Sequence, residues 1–233
     1  MRIAIHQPQY MPWAGYFHKM AQVDLFVFLD DAQFEKNDWQ HRNRIRNPKG
    51  WQWLSMPTTY RFPQKINEVM IDRTAKWREK HLKTLDMCYS RAPYYREYRH
   101  ELVRYYALRT ESIAELNMQS AAMIARLIGI AVPFERTSPL SIQSSATERL
   151  IEVCRRFGAQ TYLAGAGGKN YMDISLFEKA GIAVEFQRFS CPRYGQCWAE
   201  SDADFIPDLS ALDLLFNCGP KSLDVLMNRN PAD

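Results

Sequence analysis

The chain has 233 residues and a mass of 27.3 kDa, and 46% of its residues are hydrophobic, enough for one large core or two small ones; a single α/β domain over 1–233 is the simpler reading. A formal charge of +4 and a pI near 8.8 exclude the concentrated basic footprint of a nucleic-acid-binding domain and suit an anionic small-molecule partner. No apolar run approaches the length of a membrane span, and the first residues lack a signal-peptide pattern, so a cytoplasmic location is expected.

The stretch from Ile3 to Ile45 organises the rest. Its first apolar run, Ile3 to Ile5, is too short for a helix and reads as a buried strand. Pro8 and Pro12 forbid a helix through the next residues, so His6, Gln7, Tyr10, Trp13 and Tyr16 hang from a loop at the carboxyl end of that strand. Open α/β sheets bind their ligands in that place. A helix from about Tyr16 to Gln22 and a strand from Asp24 to Leu29 follow, ending in Asp30 and Asp31. Asp after a strand is commonly a turn former or cap; a carboxylate at a strand terminus can also hold a ribose, an amine or a metal, and Asp30 is weighted above Asp31. Next, Lys36, His41, Arg42, Arg44, Arg46 and Lys49 interleave with Trp39, Gln40, Asn43, Trp51 and Trp53. Two readings stand here, a solvated loop face and a site for phosphates or sugars.

Trp51 to Pro57 and Ile66 to Ile71 read as strands. Helical patterns cover 74–89, 94–108 and 112–127, an insertion of about 74–129 whose many tyrosines, Tyr98 among them, fit a packed scaffold better than a binding surface. Val132 to Thr137 returns to strand, a helix begins at Thr147 and stops at Gly158, and Thr161 to Ala164 is a short strand. The glycine-rich turn after it, Gly165 to Tyr171 with Lys169, can turn backbone amides toward an anion, although it matches neither the Walker nor the dinucleotide spacing. Helix Ile174 to Ala180 and strand Ile182 to Phe189 complete a parallel crossover. An irregular tail closes over the sheet, with short helices at 212–216 and 222–227. The fold class is therefore α/β, a mainly parallel, Rossmann-like sheet flanked by helices. The five cysteines are scattered and never form a CxxC pair, so five free thiols and no zinc or other metal site are expected.

His6-Gln7-Pro8-x-Tyr10-x-Pro12-Trp13-x-Gly15-Tyr16-Phe17-x-Lys19, Asp24-x-Phe26-x-x-x-Asp30, Gln33-Phe34-x-Lys36 and Trp39-Gln40-x-Arg42-Asn43-x-Ile45 together resemble the WbqC-like family. So do Tyr162-Leu163-x-Gly165, Tyr171, Gly181-Ile182-x-Val184, Pro192-x-Tyr194 and Leu209-Ser210-x-x-Asp213-Leu214-Leu215-Phe216-Asn217. His18 and Cys191 depart from that pattern and receive no role. The resemblance implies a bacterial protein of surface-polysaccharide or related gene clusters that moves an amino acid or acyl group onto a sugar or sugar nucleotide through an amide bond.

Amide formation needs a neutral amine, so His6 is the candidate base, while Lys36 and the arginines Arg42 and Arg44 are candidates to neutralise phosphate or carboxylate charge, with Asp30 beside them. The candidate binding residues are Gln7, Tyr10, Trp13, Tyr16, Gln40, Arg42, Asn43, Arg44, Gly165, Lys169 and Tyr171, and His6, Trp13, Asp30, Lys36 and Asn43 are expected to line one pocket. Two alternatives remain. Trp13-x-Gly15-Tyr16 stands where adenylating nucleotidylyltransferase-type enzymes carry His-x-Gly-His, and Ser144-Ser145-x-Thr147-x-Arg149 echoes a later loop of theirs, which would bring in ATP as a cofactor. A non-catalytic carbohydrate-binding protein would explain the aromatics without bringing His6, Asp30 and Lys36 together.

Overall fold

Strand β1 (Arg2–His6) carries Ile3, Ala4 and Ile5 at 0, 0 and 5% exposure, burial that only a central strand covered on both faces attains. The structure is a computed structural model and describes residues 1–229. β1 pairs in parallel with β2 (Leu25–Phe28), reached through helix α1 (Ala14–Met20), in the register Ile3 to Leu25 through His6 to Phe28.

The antiparallel hairpin β3 (Arg42–Asn47) and β4 (Gly50–Ser55) lies outside this sheet, as does a second short pair, β5 (Thr58–Thr59) with β6 (Met70–Ile71). Helices α2 (Trp77–Tyr89), α3 (Tyr95–Tyr106) and α4 (Ile113–Ile128) follow, and the chain then re-enters the main sheet beside β2 as β7 (Phe134–Arg136). Helix α5 (Ala146–Arg156) leads to β8 (Thr161–Ala164) on the other side of β1, and α6 (Ile174–Lys179) leads to β9 (Ala183–Phe186) beyond it. The order β7-β2-β1-β8-β9 is parallel throughout. Helix α7 (Ala211–Cys218) and the short α8 (Ser222–Leu226) close the described chain.

The twofold alternation of the strands splits the core in two. Ala4, Phe26, Phe28 and Leu163 face one cluster, shared with α1 to α4 and α7; Ile3, Ile5, Leu25, Val27, Tyr162 and Ala164 face the other, shared with α5 and α6. Helix α4 carries its own stop and start signals: Ser112 Oγ accepts from the Glu115 amide, and Gly129 ends the helix in the left-handed region at φ 96°.

Three local expectations change. The segment read as polar loop contains β3, because alternate residues Asn43 and Ile45 go to 0% exposure while Arg42 and Arg44 stay outside, the period-2 signature masked in sequence by a polar residue turned inward. Residues 66–71 form a 3₁₀ turn, Ile66–Glu68, before the two-residue β6. The tail is less peripheral than its irregular sequence implies, since Leu212, Leu214, Leu215 and Phe216 of α7 are all at 0% exposure in the larger cluster.

Candidate functional site

Winding direction reverses between β1 and β8, and open α/β sheets form their ligand crevice outside the carboxyl ends of the strands at such a point. His6, the last residue of β1, stands there. Its Nδ1–H donates to the Gln7 carbonyl at 3.1 Å, which leaves Nε2 as a bare acceptor, and the ring meets Tyr16 edge-on at 4.7 Å. Burial first, and the charge of Lys19 second, lower the His6 pKa to about 3, against an opposing contribution from the Gln7 bond. The imidazole is therefore neutral throughout the physiological range.

Lys19 is the residue that sequence reasoning passed over, although it lies within the N-terminal motif. It belongs to α1, whose residues Ala14 to Phe17 and Met20 are also buried, and it is 2% exposed. No ion pair or hydrogen bond to any described residue offsets that burial, and desolvation alone brings its pKa from 10.5 to about 7. A Cβ placed on Gly165 would lie 3.9 Å from Lys19 Nζ, so the amine sits beside the turn that leaves β8. A cation on a helix otherwise turned into the core was the available signal. Behind it, Gln187 Nε2, just past β9, donates to the Gly15 carbonyl at 2.7 Å and lies 3.0 Å from His18 Nδ1.

The other residues singled out in the sequence divide by position. Gln7 joins the crevice rim, where its Oε1 accepts from Gln40 Nε2 at 2.9 Å; Gln40 is itself buried and accepts from the Glu35 amide at 2.9 Å. Tyr16 is buried behind His6, with its hydroxyl donating to the Gln7 carbonyl at 3.3 Å. Tyr10 lies wholly in the core, its hydroxyl 2.9 Å from His81 Nδ1 and 3.0 Å from the Tyr106 hydroxyl, and burial raises its pKa. Asn43 is also at 0% exposure and ties down the Pro-rich loop by donating to the Met11 carbonyl at 2.8 Å.

Asp30 is 1% exposed and accepts from the Ser138 amide at 2.9 Å and the Ser138 hydroxyl at 2.6 Å, bonds that clasp the end of β7 to the end of β2. Asp31 beside it is buried against Thr137 and pairs with Arg149, which commits the arginine of the Ser144-to-Arg149 loop to a fold contact. Lys36 is exposed on the loop before β3, and so are Lys169 and Tyr171 past β8; Lys169 Nζ lies 5.0 Å from the Phe186 ring centroid. The segment from Gly165 to Tyr171 is wound into a 3₁₀ turn, Ala166–Asn170. Of the residues expected to line one pocket with His6, Asp30 and Asn43 are buried and spent on backbone and hydroxyl partners, and Lys36 is exposed with no hydrogen bond or ion pair to any described residue.

Trp13 caps the start of α1 and lies over Gly15 so closely that a Cβ there would overlap the indole. Its ring meets Phe189 edge-on at 5.4 Å, and both border a cleft of about 460 Å³ that Arg193, Phe205 and Asp208 also line. Arg42 and Arg44 stand on the outer face of β3 among Trp39, Trp51 and Trp53. Among the described residues no group of three His, Cys, Asp or Glu side chains is placed to hold a metal ion, and no helix is long and apolar enough to cross a membrane.

The WbqC-like protein family matches residues 7–225, nearly the whole chain and all of the crevice beyond His6. The chain belongs to the WbqC-like protein family. It is 34% identical over 229 residues, 97% of each chain, to the uncharacterized protein Rv1507c of Mycobacterium tuberculosis. No solved structure matches it significantly. The motif residues of this WbqC-like chain fall into two groups, those that frame the crevice (Gln7, Tyr16, Lys19, Gln40, Gly165) and those that hold the frame (Tyr10, Asp30, Asn43, Asp213).

Proposed function

We propose that this chain is an amide-forming transferase that moves an acyl or aminoacyl group from an activated donor onto the amine of a sugar or sugar nucleotide. The observation that carries the reading is the buried Lys19, unpartnered among the described residues, beside the neutral His6 at the point where strand order reverses. An amine attacks only as the free base, and a proton acceptor is most useful when its pKa lies near the working pH. Lys19, at about 7, meets that condition; His6, at about 3, is too weak a base, and the proton-accepting role expected of it passes to Lys19. His6 Nε2, with its partner nitrogen committed to Gln7, accepts a hydrogen bond from the incoming amine and aims its lone pair. The new C–N bond forms as the bond from the acyl carbon to its leaving group breaks, and the amine proton goes to Lys19 Nζ. Gln7, held by Gln40, lies at the rim to orient the acceptor.

The test is product formation, followed by mass spectrometry, from a panel of amino-sugar nucleotides and acyl-phosphate or thioester donors. With the productive pair, kcat/KM should rise with pH through about 7, and Lys19→Met should lower it by about two to four powers of ten. Full turnover in a folded Lys19→Met protein would remove the mechanism, and no product from any pair would remove the transfer reading.

A further inference from the structure

The hairpin β3–β4 presents a feature that the crevice does not use. Asn43 and Ile45 point into the core, so Arg42 and Arg44 project from the opposite face, where Trp53 of β4 sits across from Arg44. The Arg42 guanidinium lies 4.2 Å from the Trp53 ring centroid, and that of Arg44 lies 5.4 Å from Trp51 and 5.8 Å from Trp39. The indoles touch in turn, Trp39 to Trp53 at 5.7 Å and Trp53 to Trp51 at 5.5 Å. Even so, Trp51 and Trp53 stay 43 and 39% exposed.

The segment that carries this face is rich in cations. Between Asp38 and Glu68 the chain holds six Lys or Arg residues and no acid. Arg42 donates to the Asn37 carbonyl and Arg44 to the Asp208 carbonyl at 3.1 Å, neutral acceptors that leave both positive charges uncompensated, and neither arginine is ion-paired among the described residues. Exposed indoles beside unneutralised guanidiniums call for a ligand that offers apolar ring faces and anionic groups together. We propose that this face docks an anionic oligosaccharide, with pyranose C–H faces on Trp51 and Trp53 and carboxylates on Arg42 and Arg44. Two observations favour a glycan over single-stranded nucleic acid: the indole planes are inclined at 50 and 88°, which gives successive flat bases no parallel platform, and the net charge of the chain is only +4. Arg44 also bonds the backbone of Asp208, so the track runs to the edge of the cleft beneath Trp13. The inference deepens the transfer reading, and rests on it, only in making the docked chain the acceptor; the binding itself stands apart.

Calorimetric titration of the full chain with oligogalacturonate, neutral maltodextrin and oligo(dT) tests it. Oligogalacturonate should bind, and more weakly as salt rises. Trp51→Ala, at an exposed position, and Arg42→Gln, at a half-buried one, should each weaken binding about tenfold or more in a protein that stays folded, whereas Lys19→Met should bind like wild type. Failed transfer with intact binding would therefore sink the catalytic reading alone. Equal binding of maltodextrin, preference for oligo(dT), absence of oligogalacturonate binding, or wild-type affinity in the folded Trp51→Ala and Arg42→Gln variants would each overturn the proposal.

Discussion

Replacing Lys19 by Met should stabilise the protein, and by an amount that depends on pH. Burial at 2% exposure with no partner among the described residues penalises only the charged amine, and the penalty follows from the distance between its ordinary pKa of 10.5 and the folded value of about 7. At about 1.4 kcal/mol per pH unit that distance is worth roughly 5 kcal/mol, an upper limit because local relaxation and entering water reduce it. The sign follows from proton counting. Below pH 7 both folded and unfolded chains carry the proton and the folded state bears the full cost; between pH 7 and 10.5 the folded chain has released it while the unfolded chain has not, so stability rises with pH and the cost fades. Met matches the length of the lysine stem and removes the amine, adding a packing change of less than about 1.5 kcal/mol in either direction. Urea denaturation of both proteins from pH 6 to pH 9 should therefore show the variant ahead by several kcal/mol at pH 6, with the lead shrinking by about 1.4 kcal/mol per unit above pH 7. A lead independent of pH, or a variant less stable than wild type at pH 6, would refute the unpartnered burial on which the proposed chemistry depends. Taken with turnover, the same variant separates a functional lysine from a structural one, because a structural lysine would not combine higher stability with lost activity.

Three further outcomes are expected. His6 and His81 have folded pKa values of about 3 and 4 against 6.5 when unfolded, so stability should fall as pH drops below 6.5, and His6→Gln should flatten part of that acid limb in urea midpoints taken between pH 4 and 7. Gly15→Ala drives a methyl into the Trp13 indole and should cost about 1–3 kcal/mol by denaturant titration, with a shift in tryptophan emission as the ring is displaced; unchanged emission would show that the ring is not held there. Tyr98→Ala should cost about 3–5 kcal/mol and lower the melting temperature because that ring is 8% exposed, whereas Lys36→Met, at an exposed position, should leave the melting temperature in place.

Much of the fold can be read from local pattern. The runs Ile3 to Ile5, Leu25 to Phe28 and Thr161 to Ala164 are too short and too apolar for anything but buried strands, and Ser112 and Gly129 bracket α4 with chemistry that acts within a few residues. The strand–helix–strand alternation at the end of the chain implies a parallel sheet, because a crossover that returns in the same direction needs a helix to span it. What sequence could not supply is adjacency. That β8 rather than β7 lies against the free edge of β1 depends on how the hairpins and helices of residues 29–133 pack over one face, and this choice puts the crevice at His6. Polar residues show the same limit. Asp30, Asn43 and Tyr10 have the composition of a site and are consumed by the backbone carbonyls, amides, hydroxyls and imidazole of distant segments, whereas Lys19, part of the same motif, is left without a partner among the described residues. A side chain's type and spacing are local properties; whether its charge or hydrogen-bonding capacity is already satisfied depends on segments far away in the chain, so only the tertiary structure decides which of these groups remains free to act.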